Sequence, residues 1–210
     1  VSHAAPVLGA ILAGGLARRM GGGDKGLRPL AGATMLDRVI ARAAPQVTAL
    51  CLSANGDPAR FDRWGLPVVP DDVPGAAGPL AGILAVLDWA AATRPDVELV
   101  ASFPCDAPFI PRDLVARLMA ARQEQGAEIA VAASGGRTHP VVALWPVALR
   151  ADLRQALVVE DIRKVERWFG RHSTAVVDFA CDPVDPFLNS NTPDDLAEAE
   201  RLLARHPDLG

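Results

Sequence analysis

Cysteine is scarce in this 210-residue chain. Cys51, Cys105 and Cys181 show no CxxC or Cys/His spacing, which argues against a disulfide framework and a zinc site and leaves buried or incidental thiols. Long apolar runs are missing as well, and no basic region precedes an apolar stretch at the N-terminus. A membrane span and a signal peptide are therefore not expected, and a cytoplasmic protein is. Nor is there an excess of positive charge: 21 Lys and Arg face 25 Asp and Glu, a formal net charge of -4. General attraction to nucleic acid or anionic lipid is thereby excluded, so a polyanionic ligand would need locally placed cations and backbone donors. Internal repeats and low-complexity tracts are absent.

What is present is an ordinary globular composition, about half apolar and 22% charged, of a length that suits one domain with a real core. Short β-rich runs alternate with segments of helical period, the pattern of a Rossmann-like three-layer α/β sandwich around a mostly parallel sheet. Strands are expected at Val7 to Ala13, Thr48 to Ala54, Pro67 to Val69, Glu98 to Phe103, Ile129 to Ala133, Val141 to Trp145 (antiparallel as an option) and Val176 to Phe179. Helices are expected at Met35 to Pro45, Leu80 to Ala92 and Pro111 to Gln125, with a short one at Phe61 to Trp64. Two amphipathic helices should follow Trp145, and a last one should open at Thr192, Pro193 and Asp194.

In an open parallel sheet ligands bind beyond the carboxyl ends of the strands, which gives weight to four segments. Leu12 to Lys25, LAGGLARRMGGGDK, follows the first strand. Its glycines, Gly14 and Gly15 among them, can turn several N–H groups onto one anion, while Arg18, Arg19 and Lys25 add positive charge. A triphosphate needs both, because amides cradle its oxygens and a cation offsets the charge growing on leaving pyrophosphate. Gly21, Gly23 and Gly26 fit GxGxxG but lie well past the strand, with no acidic residue ending the second strand. Lys25 is followed by Gly26 rather than Ser or Thr. A dinucleotide fingerprint and a Walker loop are both rejected.

The second segment, Phe103 to Pro111, sets Asp106 beyond a hydrophobic strand between prolines, as a Mg²⁺ ligand would be presented; one carboxylate suffices when phosphate oxygens and water complete the shell. Capping of the next helix competes as a role, although Asp113 lies nearer to it. The third joins Asn55 after strand two to Asp71 and Asp72 after strand three, followed by GPLAG at Gly78 to Gly82. Asn suits ribose or base edges, and an Asp can accept two N–H bonds from a guanine-like edge. Asn55-Gly56-Asp57-Pro58 is equally a turn signal in its own right. In the fourth segment, Asn189 to Leu196, Thr192 explains a helix start but leaves Asn189 and Asn191 to reach a phosphate or an acceptor. His139, before Pro140, could contact an anionic acceptor or serve structurally.

LAGGLARRMGGGDKGL, GPLAGILAVLDW, PCDAPFIP, HPVVALW and NSNTPDDL, in order from about Val7 to Leu203, together resemble the molybdenum cofactor guanylyltransferase family within the sugar-nucleotide-type nucleotidyltransferases. That resemblance implies a nucleotide-diphospho-sugar transferase-like fold, GTP and molybdenum-bound molybdopterin as substrates, and the guanine dinucleotide cofactor and pyrophosphate as products. It also implies Mg²⁺, with Mn²⁺ as an option. By motif position it assigns Leu12, Ala13, Gly14 with Gly15, Lys25, Asn55, Asp71 and Asp106 to the nucleotide, Asp106 also to the metal, and Arg19 to the triphosphate. Asn189 and Asn191 fall to the acceptor, with His139 a further candidate. Residues 7–110 would bind nucleotide and residues 111–205 the acceptor, within a single domain spanning 1–210. Expected partners are molybdenum-insertion proteins and molybdoenzymes or their chaperones.

The chain departs from the family at Val158 to Lys164, where Val159-Glu160-Asp161-Ile162 replaces an expected glycine turn; Arg163 and Lys164 are expected on a solvated helix face rather than as acceptor ligands. Three alternatives remain open. They are a cytidylyltransferase differing near Asn55 and Asp71, a sugar-1-phosphate nucleotidyltransferase for which the chain has little room, and a non-catalytic nucleotide or cofactor binder.

Overall fold

The computed structural model of the protein describes residues 6–14, 23–73 and 78–209. β1 (Val7–Leu12) starts the chain, and a two-strand ribbon of β2 (Pro29–Leu30) and β3 (Ala33–Thr34) leads into α1 (Met35–Ala43). Next come β4 (Ala49–Ser53), β5 (Val68–Val69), α2 (Pro79–Thr93), β6 (Leu99–Pro104) and α3 (Leu114–Glu124). β7 (Ile129–Ser134) and β8 (Arg137–Pro146) form a hairpin, followed by α4 (Arg150–Arg154), α5 (Val165–Phe169), β9 (Thr174–Phe179) and α6 (Pro193–Arg205). The seven-stranded sheet has the order β5-β4-β1-β6-β8-β7-β9, and only β8 runs against the others.

The alternation of β1 explains the layers. Val7, Ile11 and Ala13 enter one core with Leu36 and Val39 of α1 and Leu114 and Leu118 of α3, whereas Leu8 and Ala10 enter another with α2, Leu153 and Trp168. Both faces are covered, so β1 reads as continuously apolar rather than alternating. A third cluster seats α6 through Ala199, Leu202 and Leu203 on Leu30, Met35 and Phe109.

Three sequence expectations shift. The third helix begins at Leu114, not Pro111, and Asp113 occupies its N-cap without a side-chain bond. Gln46 takes over that duty from a distant turn: its Oε1 accepts the Val115 N–H at 3.0 Å while its Nε2 donates to the Pro111 carbonyl at 2.8 Å. The strand expected at Val141 starts at Arg137, because Gly135 and Gly136, both at positive φ, make a two-residue hairpin turn. Beyond Trp145 the first helical segment ends in a π-helical turn, Gln155–Val159, that leaves Val158 and Val159 exposed. Where a glycine turn was expected, Asp161 itself adopts φ 53°.

Cys51 and Cys105 are buried, Cys181 is exposed, and all are free thiols. Burial pushes the two inner thiols up to about 12. Among the described residues no helix is long and apolar enough to cross a membrane.

Candidate functional site

The chain moves from β1 leftward to β4 and β5, then crosses to β6 on the other side of β1, so the carboxyl ends of β1 and β6 flank a topological switch point. Leu12 pairs in register with Ser53 on one side and Pro104 on the other. The Ala13 N–H donates to the Ser53 carbonyl at 2.8 Å, and the Cys105 N–H to the Leu12 carbonyl at 3.4 Å. Leu12, Ala13 and Gly14 thus form the floor of a rim between the ends of β4 and β6. Gly15, Arg18 and Arg19 lie outside the described residues.

Lys25 returns to that rim at the start of a 3₁₀ turn, Lys25–Leu27. A Cβ on Gly26 would meet Cys105 Cβ at 3.3 Å and Leu36 Cβ at 3.4 Å, so a glycine lets this turn lie close against the end of β6. Lys25 Nζ consequently reaches Asp106 Oδ2 at 3.3 Å and also donates to Asn191 Oδ1. Asp106 is buried, and its own carbonyl accepts the Ser190 N–H at 3.0 Å, locking the Asn189–Asn191 segment onto the rim. The segment is braced from its other side, where Asp195 Oδ2 accepts the Asn191 N–H at 2.9 Å within the Thr192 capping box of α6. Asp106 does not cap the helix that follows it, whose N-cap is Asp113.

Asn55 and Asp71 meet as a reciprocal pair. Asn55 Nδ2 donates to Asp71 Oδ2 at 2.7 Å, and the Asp71 N–H donates to Asn55 Oδ1 at 2.9 Å. The parallel pairing of β4 with β5 brings the two loops together. The turn reading of this stretch also holds, since Gly56 has φ 82° and Asp57 accepts the Ala59 N–H at 2.9 Å. Asp24 and Arg60 escaped the sequence reading. Arg60 Nε bonds Asp24 Oδ2 at 2.7 Å, and its Nη2 donates to the Asn55 carbonyl at 2.6 Å. Neighbouring Lys25 is thereby tied to the Asn55 loop. Asp24 stood in a quoted motif; Arg60, in the turn Pro58–Trp64, has no local signal.

On the other side of Asp106 a cavity of about 170 Å³ is walled by Pro104, Arg137, His139, Pro140, Phe187 and Asn189, among others. Along this wall β8 slips register between Val131 and Ala132 of its partner and bulges at the residues after His139. Within it His139 Nε2 lies 2.7 Å from Ser134 Oγ, Ser134 Oγ donates to Asp185 Oδ1 at 2.7 Å, and the imidazole packs on Phe187 with ring centres 4.6 Å apart. Arg137 approaches Asp185 Oδ2 at 3.4 Å from an exposed position. Burial holds His139 below the ordinary imidazole range. Ser134 and Asp185 were also missed, Ser134 because it reads as an ordinary strand residue and Asp185 because it is distant in sequence.

Asn189 and His139 thus line one pocket, while Lys25, Asp106 and Asn191 make a cluster beside it. Among the described residues no set of three or more His, Cys, Asp or Glu side chains could hold a metal by itself. Asp106 offers one carboxylate, which suits an ion taking its remaining ligands from phosphate and water. Arg163 and Lys164 precede α5 and neither lines the cavity.

Comparison with known proteins identifies the family and the fold. Residues 9–177 match the family model described as the MobA-like NTP transferase domain. A molybdenum cofactor guanylyltransferase from Bradyrhizobium sp. (strain ORS 278) is 63% identical over 94% of this chain and 93% of its own length. In structure, molybdopterin-guanine dinucleotide biosynthesis protein A from Archaeoglobus fulgidus superposes with a TM-score of 0.72 at 22% identity, over 94% of this chain and 99% of that one. Rv0371C from Mycobacterium tuberculosis H37Rv, in complex with manganese, does so with a TM-score of 0.67 at 20% identity over 93% and 98%. The fold is that of the nucleotidyltransferases, and the chain belongs to the molybdenum cofactor guanylyltransferase family.

Proposed function

We propose that this chain transfers the guanylyl group of GTP to molybdenum-loaded molybdopterin, forming the guanine dinucleotide cofactor and releasing pyrophosphate, with Mg²⁺ held by Asp106. The observation that carries the reading is the position of Lys25 Nζ, a cation bonded at once to the one buried carboxylate of the rim and to Asn191 at the edge of the second pocket. A nucleotide on the β1 rim and an acceptor in the His139–Asn189 cavity would meet at that point.

Residues 7–110 then serve the nucleotide and residues 111–205 chiefly the acceptor. The Asn55–Asp71 pair stands where base and ribose would lie, with Asp71 Oδ1 the carboxylate oxygen that Asn55 leaves open. Leu12, Ala13 and Gly14 supply backbone beside the phosphates, with Gly15 and Arg19 following in sequence as further phosphate candidates. Attack by a terminal phosphate oxygen of the acceptor on the α-phosphorus is in line, with pyrophosphate leaving opposite. No general base is required, because the attacking oxygen is already ionised. Lys25 exchanges its bond to Asp106 for the leaving pyrophosphate and stabilises the charge that develops there. When bound, the divalent ion supplies charge neutralisation at the phosphate oxygens. Asn189 and Asn191 orient the acceptor. The reading carries with it a cytoplasmic enzyme that exchanges substrate and product with molybdenum-insertion proteins, molybdoenzymes or their chaperones.

The test is pyrophosphate release by the purified protein with GTP, CTP, ATP or UTP, molybdate-loaded molybdopterin, and Mg²⁺, Mn²⁺ or chelator. GTP-dependent release abolished by Asp106→Ala and by chelation is expected. Preference for CTP would reassign the base, and binding without release would overturn the enzymatic reading.

A further inference from the structure

The Ser134–His139 contact can run in only one direction. Ser134 has a single hydroxyl hydrogen, and Asp185 Oδ1, an acceptor at 2.7 Å, takes it. That oxygen also accepts the Phe187 backbone N–H at 3.0 Å, a donor that cannot be reversed. Ser134 Oγ can therefore only accept from His139, which requires the imidazole proton on Nε2. A neutral ring then carries a bare nitrogen at Nδ1, and among the described residues nothing bonds to it. His139 and Ser134 are both buried, and the ring is a wall of the cavity. Burial favours the neutral ring, which leaves Arg137 as the cationic group of that wall.

We propose that Ser134 and Asp185 are positioning residues that hold neutral His139 with its proton on Nε2, so that Nδ1 accepts a hydrogen bond from an N–H or O–H donor of the acceptor substrate, while Arg137 meets its anionic part. This rests on the cavity being the acceptor site. It assigns the histidine a recognition role different from charge pairing with phosphate, because an imidazolium would need to donate from both nitrogens.

Two measurements separate the wiring from the reading of the cavity. In ¹⁵N-histidine-labelled full-length protein without substrate, long-range ¹H–¹⁵N correlation at neutral pH should show His139, assigned by its loss in His139→Gln, as the Nε2–H tautomer. Ser134→Ala should lose that fixed state. Asp185→Asn should retain it, because the Phe187 N–H keeps the amide oxygen at the Oδ1 position. In steady-state assays Ser134→Ala should raise KM for the acceptor about tenfold, the scale of one neutral hydrogen bond, leaving KM for GTP unchanged. An Nδ1–H tautomer or an imidazolium in the wild type overturns the wiring itself. The expected tautomer with an unaltered acceptor KM, or with a change in GTP KM alone, overturns the substrate contact and with it the placement of the acceptor in this cavity.

Discussion

Lys25 bonds both Asp106 and Asn191, and on the proposed function its loss should be felt in the chemical step. Lys25→Ala is expected to lower kcat by about 10²- to 10³-fold, the scale of removing one preorganised charge-stabilising donor. Asn191→Ala, which removes only one of its partners, should cost about tenfold. Single-turnover rates at saturating GTP measure both, and equal effects would argue against Lys25 touching the leaving group. A second residue bears on stability alone. Ala31 and Gly32 turn the chain between β2 and β3 with φ of 48° and 81°, a turn that requires positive φ at both central positions. Alanine is strained there. Ala31→Asn should raise the unfolding free energy by about 0.5–1 kcal/mol in urea titration, and a destabilised variant would show that the strain is absent. Asp106 was legible from sequence because a strand, a proline and an acid in succession form one local pattern. The Asn55–Asp71 pair was legible only as two separate candidates, since their bond depends on which strands are neighbours.

Among the elements, α2 shows how closely the rim is built. Gly82 in its first turn lies so near the end of β4 that an added Cβ would sit 2.5 Å from Ser53 Oγ but 3.6 Å from Ser53 Cβ. Gly82→Ala should therefore destabilise the fold by about 1–3 kcal/mol through overpacking, and Ser53→Ala in the same chain should recover most of it. Thermal unfolding of the four members of this double-mutant cycle measures the coupling, and simple additivity would mean that the hydroxyl is not the obstacle. Strand and helix order followed from hydrophobic period because each period lies within one element. What periodicity could not supply is the duty one element performs for another. Gln46 caps α3 from the turn after α1, and Arg60 joins the Asn55 loop to Asp24. The β8 start was hidden because a polar stretch containing Pro140 reads as a loop until the Gly135-Gly136 turn is paired across.

For the molecule as a whole, acid should act in two stages. His139 has a folded-state affinity for protons below the ordinary value, through burial first, then Arg137, against the pull of Asp185. The unfolded chain binds that proton first, so this contribution is complete above about pH 6.5 and declines as the pH falls below it. Burial would raise the Asp37 carboxyl, but bonds from Arg63, Thr34 and Trp64 outweigh it and hold it far below the carboxylate range. Its contribution is present above about pH 4 and is lost on further acidification. Urea unfolding from pH 7 to pH 3 should thus show a first decline that His139→Gln flattens and a second that Asp37→Asn reduces. A profile that His139→Gln leaves unchanged above pH 5 would remove the first stage.

The single reversed strand has one more consequence. Because β8 runs against β6, its beginning lies where β6 ends, and the hairpin that starts it overhangs the rim from the side opposite Asn55. The rim and the cavity thus abut along one seam while sharing almost no sequence, the first contributed by residues before Pro111 and the second mostly by the β7–β8 hairpin and the Asp185–Asn191 segment. On the proposed function such a molecule can be recombined at its seam: exchanging the hairpin and that one segment should alter which acceptor is received and leave unchanged which nucleotide is used.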